Sequence, residues 1–393
     1  MDETKMHFPN LFPYEPWSIV SINFLILLFN LVFFYCYVLF KKRIVKKINQ
    51  LTIDRKVENY FTPLVILVLC CFSIIIVLSN FNYLINELVK SVYFNAEGSI
   101  ADLLIKKKVL FFVPLGAIAI TYKYLKSKNK LTANSFIVLF IFFILVALLM
   151  VLKNPLTEKR NALGPIYITL IYLFYPKLLN TNVKFFLFLF VAMIVAFPLI
   201  SSITHLNASL SEIIRNPEIF TNTFIDSGHF IKVFNSLNYD AYANILATVE
   251  YTKSYGLSFG YQLLGVIFFF IPRAFWVSKP ISTGKVIGNY LIDKFNFGDG
   301  TFNNLSNPLV SEAYINFGIF GILITALTFA LICVKFLGWL RSGDSLKEFI
   351  AFYFSVHLIF LLRGDLSNGI AYFIGPLIAV YILPKIIYKL LRI

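Results

Sequence analysis

Residues 133–152 read ANSFIVLFIFFILVALLMVL, twenty residues without a single charge. A helix rises about 1.5 Å per residue and a bilayer's hydrocarbon core is roughly 30 Å thick, so this run has the length of one crossing. Eight further stretches read the same way, the shortest by borrowing from their flanks: 17–40, 61–80, 103–122, 162–179, 185–204, 308–334, 349–362 and 370–388. The composition agrees, with 59% apolar and only 14% charged residues in 393. Soluble domains average about 45–50% apolar and roughly 25% charged, so a globule of this size has no interior large enough for the excess. The expected fold is all-α, a polytopic transmembrane helix bundle of about 9–11 spans. The first run is not expected to be a cleavable signal peptide, because its leading flank (Asp2, Glu3, Lys5, Glu15) is acidic rather than basic and no small-residue cleavage site follows. Cys36, Cys70, Cys71 and Cys333 lie in apolar runs without CxxC or metal spacing, so neither a disulfide framework nor a zinc site is indicated.

Charge sets the direction of the spans. The loops 41–60, 123–130, 177–184, 335–348 and the tail 385–393 hold 19 basic and 4 acidic residues. Their surplus equals the whole formal charge of +15, and the other side is neutral. This is the pattern of cytoplasmic loops in a positive-inside protein, and it explains the basic balance without nucleic acid as a partner. The N-terminus is then outside and the C-terminus inside, which requires an odd number of crossings. The stretch 256–276 is long enough to cross but breaks that parity. Either it enters the membrane and turns back, or a weaker span near 235–252 makes the total eleven. Three regions follow: an N-terminal bundle over 1–204, a large external segment over 205–307, and a C-terminal bundle over 308–393.

Four constellations carry candidate chemistry. In GVIFFFIPRAFWVSKPISTGK (265–285), Arg273, Trp276 and Lys279 recur every three residues as one side of a short helical turn, and Lys285 follows. Cations beside an aromatic residue suit a lipid diphosphate, since Arg binds in a bidentate fork and Lys as a point charge. The alternative is that they snorkel as interfacial anchors. In NLSNPLVSEAYINFGIFGILI (304–324), Pro308 follows an Asn307 cap, Glu312 and Asn316 share a face, and Gly318 and Gly321 let a second helix approach. A carboxylate just inside a span is costly unless paired or functional; the plainer role for Glu312 is to complement the helix dipole. In LLRGDLSNGIAYFIGP (361–376), Arg363 and Asp365 form either an ion pair across a short turn or a phosphate-binding pair. The weakest is FIDSGHF, with Asp226 and His229 in the long segment and Arg215 and Asp240 nearby. His205 and His357 have less to recommend them.

The first three blocks together resemble the bacterial O-antigen and capsular repeat-unit polymerases. The likeness rests on Pro272, Arg273, Trp276, Lys279 and Pro280; on Glu312, Tyr314, Asn316, Phe317, Gly318 and Gly321; and on Arg363, Gly364 and Asp365. It covers about 256–376, the earlier residues matching only as a string of spans. One departure is the N-out orientation, since many relatives are drawn with both ends inside. The resemblance implies a metal-independent, cofactor-free membrane glycosyltransferase, similar to the GT-C type, in the bacterial inner membrane with its site facing the periplasm. Its substrates are then undecaprenyl-diphosphate-linked oligosaccharide repeat units, and its partners membrane lipid, a chain-length regulator, an O-unit flippase and an O-antigen ligase. Glu312 is the expected base, with Asp365 and His229 in reserve. Arg273, Lys279, Arg363 and Lys285 would hold diphosphate, and Trp276, Tyr314 and Asn316 would meet substrate. An O-antigen ligase-like transferase and a lipid-linked oligosaccharide flippase remain the alternatives, with a structural or regulatory subunit further off.

Overall fold

The computed structural model describes residues 15–51, 62–89, 105–128, 133–155, 158, 160–192, 215–216, 218, 241–295 and 305–391. Every regular element among them is helical. In chain order these are α1 (Pro16–Leu51), α2 (Pro63–Ser79), α3 (Phe81–Val89), α4 (Val113–Lys126), α5 (Ala133–Leu152), α6 (Arg160–Phe174) and α7 (Asn182–Val191). There follow α8 (Ala241–Tyr255), α9 (Tyr261–Ile267), α10 (Thr283–Phe295), α11 (Leu309–Leu340), α12 (Ser345–Arg363), α13 (Leu366–Pro376) and α14 (Leu383–Leu391). Residues 377–382 join the last two as a π-helical turn.

Six helical stretches are long and apolar enough to cross a membrane: Pro16–Ile44, Ile105–Lys126, Ser135–Leu152, Leu309–Leu340, Ser345–Arg363 and Leu366–Leu391. A seventh arises if α2 and the start of α3, bent by 64°, count as one span. Nine were expected. The difference lies at 162–179, where the apolar helix is only Ala162–Phe174, and at 185–204, where Asn182–Val191 is helical and most of the rest is outside the described residues. Among the described residues, neither candidate for a further crossing reaches spanning length. Residues 256–276 give the seven-residue α9 and then a series of turns, and α8 has 15 residues.

The chain divides into two compact units, one of residues 1–55, 232–342 and 357–371, the other of 56–231, 343–356 and 372–393. In the second, Thr62 caps α2 by accepting from Val65 N–H at 3.3 Å, with Pro63 at the first helical position where no N–H is missed. Its buried Lys153 ammonium lies 3.0 Å from Glu158, donates to the Lys107 carbonyl at 2.6 Å and sits 4.4 Å from the Phe112 ring centre. A buried charge is tolerated only with this degree of compensation.

The first unit holds the blocks quoted above. The longest contact is between α1 and α11, where Phe33 and Phe329 rings lie 5.5 Å apart. Tyr242 at the start of α8 donates to Asn23 near the start of α1 at 2.9 Å, and Asn244 and Thr248 of α8 donate to Ser306 and Asn307 just before α11. The beginnings of α1 and α11 therefore lie at one end, and the two helices run parallel. Lys41, Lys42 and Arg43 of α1, Lys335 of α11 and its C-cap residue Arg341 then share the other end.

Two expectations about α11 need correction. Asn307 does not cap it: its side-chain oxygen accepts from Thr248 at 3.1 Å, and Pro308 is the cap residue. The glycines do not serve an approaching helix either. Phe317 (φ −141°, ψ 20°) and Gly318 (φ 60°, ψ −140°) break α11 after two turns. A positive φ costs a side-chain-bearing residue steric strain that glycine escapes, so Gly318 sets where the break falls. Gly321 then packs against the Ala313 carbonyl. Glu312 thus rides on a half-helix, 309–316, separate from the long apolar part of α11.

Candidate functional site

Glu312 is 2% exposed. Its Oε1 accepts twice, from the Thr283 hydroxyl at the start of α10 and from the Leu366 N–H at the start of α13, the latter at 3.1 Å. Three segments distant in sequence thus meet on one carboxylate oxygen. Its other oxygen, Oε2, is buried and has no hydrogen-bond partner among the described residues. Carboxylates buried in proteins are nearly always fully satisfied, and an exception calls for a reason.

That carboxylate helps line a small cleft, together with Gln262, Gly265, Pro280, Thr283, Asp365 and Ser367 among others. Its enclosed space is no more than about one water-sized group. Asp365 works locally: its two oxygens accept from Ser367 N–H at 3.0 Å and from the Asn368 amide at 2.9 Å, capping α13. This cap aims the Leu366 N–H at Glu312. Gly364, at φ +102°, presses against the Asn307 backbone, and a Cβ there would lie 1.6 Å from the Asn307 oxygen. The close approach brings the 363–365 turn to the start of α11 and so to Glu312.

Asn316 is buried one turn beyond Glu312. Its amide donates to the Glu312 carbonyl at 2.8 Å, and its oxygen accepts from the Ser258 hydroxyl at 3.0 Å. Ser258 N–H also donates to Ile315 O at 2.9 Å, so the broken end of the half-helix is held by the α8–α9 turn. Tyr314 is half-buried on the same half-helix.

Arg273, Trp276 and Lys279 do not sit on one helix face. They lie in successive turns, with Trp276 N–H donating to Pro272 O at 3.2 Å and Lys279 N–H to Trp276 O at 3.0 Å. The Arg273 guanidinium donates to the carbonyls of Lys279 (2.6 Å) and Pro280 (3.1 Å), and the Lys279 ammonium to those of Phe269 (2.7 Å) and Ile271 (2.8 Å). Burial, and then the nearby guanidinium, pull the Lys279 ammonium below the usual lysine range. The Trp276 indole donates to the Ser278 hydroxyl at 3.1 Å. Both cations hold the loop whose end, at Pro280 and Ile281, walls the cleft.

Lys285 is exposed on the first turn of α10, two residues after Thr283, and the half-buried Arg363 ends α12, three residues before Leu366. These two cations are the nearest in sequence to the groups that grip Glu312. His357 is buried with Nε2 2.7 Å from the Gly369 carbonyl, a contact that ties α12 to α13. His229, His205, Asp226 and Asp240 lie outside the described residues. Among those described, no three His, Cys, Asp or Glu side chains come together as metal ligands.

Sequence reasoning missed Thr283, Ser258, Gln262 and the Leu366 N–H. Thr283 lay within the quoted 265–285 block, but a hydroxyl in a loop carries no signal until its partner is known. Thr283→Val is expected to lower thermal stability by about 1.5–3 kcal/mol, the worth of a hydrogen bond to a charged group, while Thr283→Ser is expected to retain it. Unfolding midpoints of the two variants in one detergent check this, and equal loss in both would rule out the hydroxyl as the stabilising group.

No protein-family model matches the chain, and neither a curated protein nor a solved structure matches it.

Proposed function

We propose that this protein is an O-antigen polymerase of the bacterial inner membrane, a metal-independent glycosyltransferase of GT-C type acting on the periplasmic face. It joins undecaprenyl-diphosphate-linked repeat units, and the observation that carries the reading is the buried, partnerless Oε2 of Glu312 in the wall of the cleft. A carboxylate fixed through one oxygen and free at the other is built to take a proton. The acceptor sugar's hydroxyl enters the cleft and gives its proton to Oε2 as its oxygen bonds to the donor's anomeric carbon. The bond from that carbon to the diphosphate oxygen breaks, and undecaprenyl diphosphate leaves with the electron pair. Negative charge grows on the leaving oxygen, so fixed cations beside it lower the barrier. Arg363 and Lys285, the cations nearest in sequence to Leu366 and Thr283, are the candidates for that role. Arg273 and Lys279 contribute by holding the wall of the cleft.

Support for the periplasmic face comes from the parallel course of α1 and α11. Their basic ends lie together, opposite the end with Glu312. The positive-inside rule favours a cytoplasmic position for such ends, and hence a periplasmic one for the carboxylate.

Purified protein supplied only with undecaprenyl-diphosphate-linked repeat units is expected to form a ladder of lipid-linked oligomers, one undecaprenyl diphosphate released per bond. Transfer seen only when lipid A core is added would replace polymerase by ligase. No release under either condition would overturn glycosyl transfer altogether.

A further inference from the structure

The stretch 254–284 carries two charged residues, the exposed Arg273 and the half-buried Lys279, and both donate to backbone carbonyls of their own loop. The Tyr261 hydroxyl donates to a further carbonyl, that of Ser278. Backbone N–H groups satisfy those of Phe268, Pro272 and Trp276. Over 268–280, then, the carbonyls of residues 268, 269, 271, 272, 276, 278, 279 and 280 all accept a hydrogen bond from within the protein. A loop in water has no need of this, because solvent satisfies its carbonyls and leaves its cations extended. Irregular backbone surrounded by hydrocarbon has no such recourse.

The outward residues point the same way. Phe275 and Val277 are each 85% exposed, and Ile267 and Phe270 are exposed beside them. On the spanning helix α1 the outward face is made of similar residues, Leu31 and Phe34 among them. Bare aromatic and aliphatic side chains clustered on a loop mark an interaction surface.

We infer that the loop 267–280 dips into the acyl-chain region of the bilayer at the end of the first unit that carries Glu312. Arg273 and Lys279 act there as internal donors that take the place of water. The partner is the lipid hydrocarbon itself, and the inference holds whatever reaction Glu312 performs.

Tryptophan fluorescence tests it on the whole protein in liposomes. The chain has three tryptophans, so Trp17→Phe with Trp339→Phe leaves Trp276 as the only emitter. A second version adds Trp276→Phe and Phe275→Trp, moving the emitter to an outward position. Lipids brominated on the acyl chain are expected to remove most of the emission in both versions, and aqueous iodide to remove little. Strong iodide quenching without bromolipid quenching would overturn the inference in favour of an aqueous loop. Insensitivity to both would overturn it in favour of a protein-covered one. Adding Arg273→Ala and Lys279→Ala together strips donors from four carbonyls, and quenching should shift from bromolipid to iodide. An unchanged pattern in that variant, with monodisperse protein, would refute the role given to the two cations.

Discussion

Glu312→Gln is expected to leave an inserted, folded protein whose polymerisation rate falls by about 10²–10⁴-fold, the usual worth of a general base. The side-chain geometry makes this a clean test. The glutamine oxygen can keep both bonds that Oε1 makes, from the Thr283 hydroxyl and the Leu366 N–H. What changes is the atom at the Oε2 position, where an amide NH₂ replaces an oxygen able to accept a proton. Structural loss is therefore small and chemical loss large. The ladder formed from lipid-linked repeat units, with protein matched by blot, reports the second, and the unfolding midpoint the first. Cells carrying the variant are expected to display lipid A core bearing single repeat units, since a separate ligase still accepts them. An unaltered ladder would remove Glu312 from the chemistry, and a collapsed midpoint would recast the carboxylate as a structural clasp.

Much of the helical framework was legible because length and apolarity are local properties. Over their described residues, the runs at 17–40, 103–122, 133–152, 349–362 and 370–388 coincide with helices that reach crossing length. Residues 162–179 misled for the same reason: apolarity there outlasts the helix, which ends at Phe174 before Pro176 starts a separate turn. That Glu312 would need partners was readable from its cost inside a span. Its partners were not, since Thr283 lies 29 residues before it and Leu366 54 residues after it. The block with Arg273 and Lys279 shows the opposite failure. Spacing by threes reads as a helix face, but Pro272 and Pro280 restrict the backbone to turns, and the cations then find the loop's own carbonyls within reach. A cation motif in sequence does not say whether its donors face a ligand or the chain. The break at Phe317–Gly318 was hidden likewise, because a Gly-x-x-Gly pattern in a span more often means close helix packing.

Gly364→Ala is expected to separate the two structural halves of the site and abolish activity in a chain that still inserts. Two costs combine. At φ +102° any side chain is strained, typically by about 1–3 kcal/mol. The new Cβ also lies 1.6 Å from the Asn307 oxygen and 2.7 Å from its nitrogen, both backbone atoms that no rotamer change can move. Forcing an overpacked contact costs roughly another 1–3 kcal/mol. Relief requires the 363–365 turn to withdraw from the start of α11, which pulls the Leu366 N–H off Glu312 and opens the cleft between Asp365 and Thr283. Gly256→Ala supplies the control, because its φ is +81° but nothing lies within 4 Å of the added Cβ. It carries the backbone strain without the collision, so its activity is expected to stay close to that of the parent. Midpoint and ladder measured on both variants separate the two costs. Equal damage from the two substitutions would mean that backbone strain alone accounts for Gly364, and that the 363–365 turn does not need its contact with Asn307 to hold Glu312.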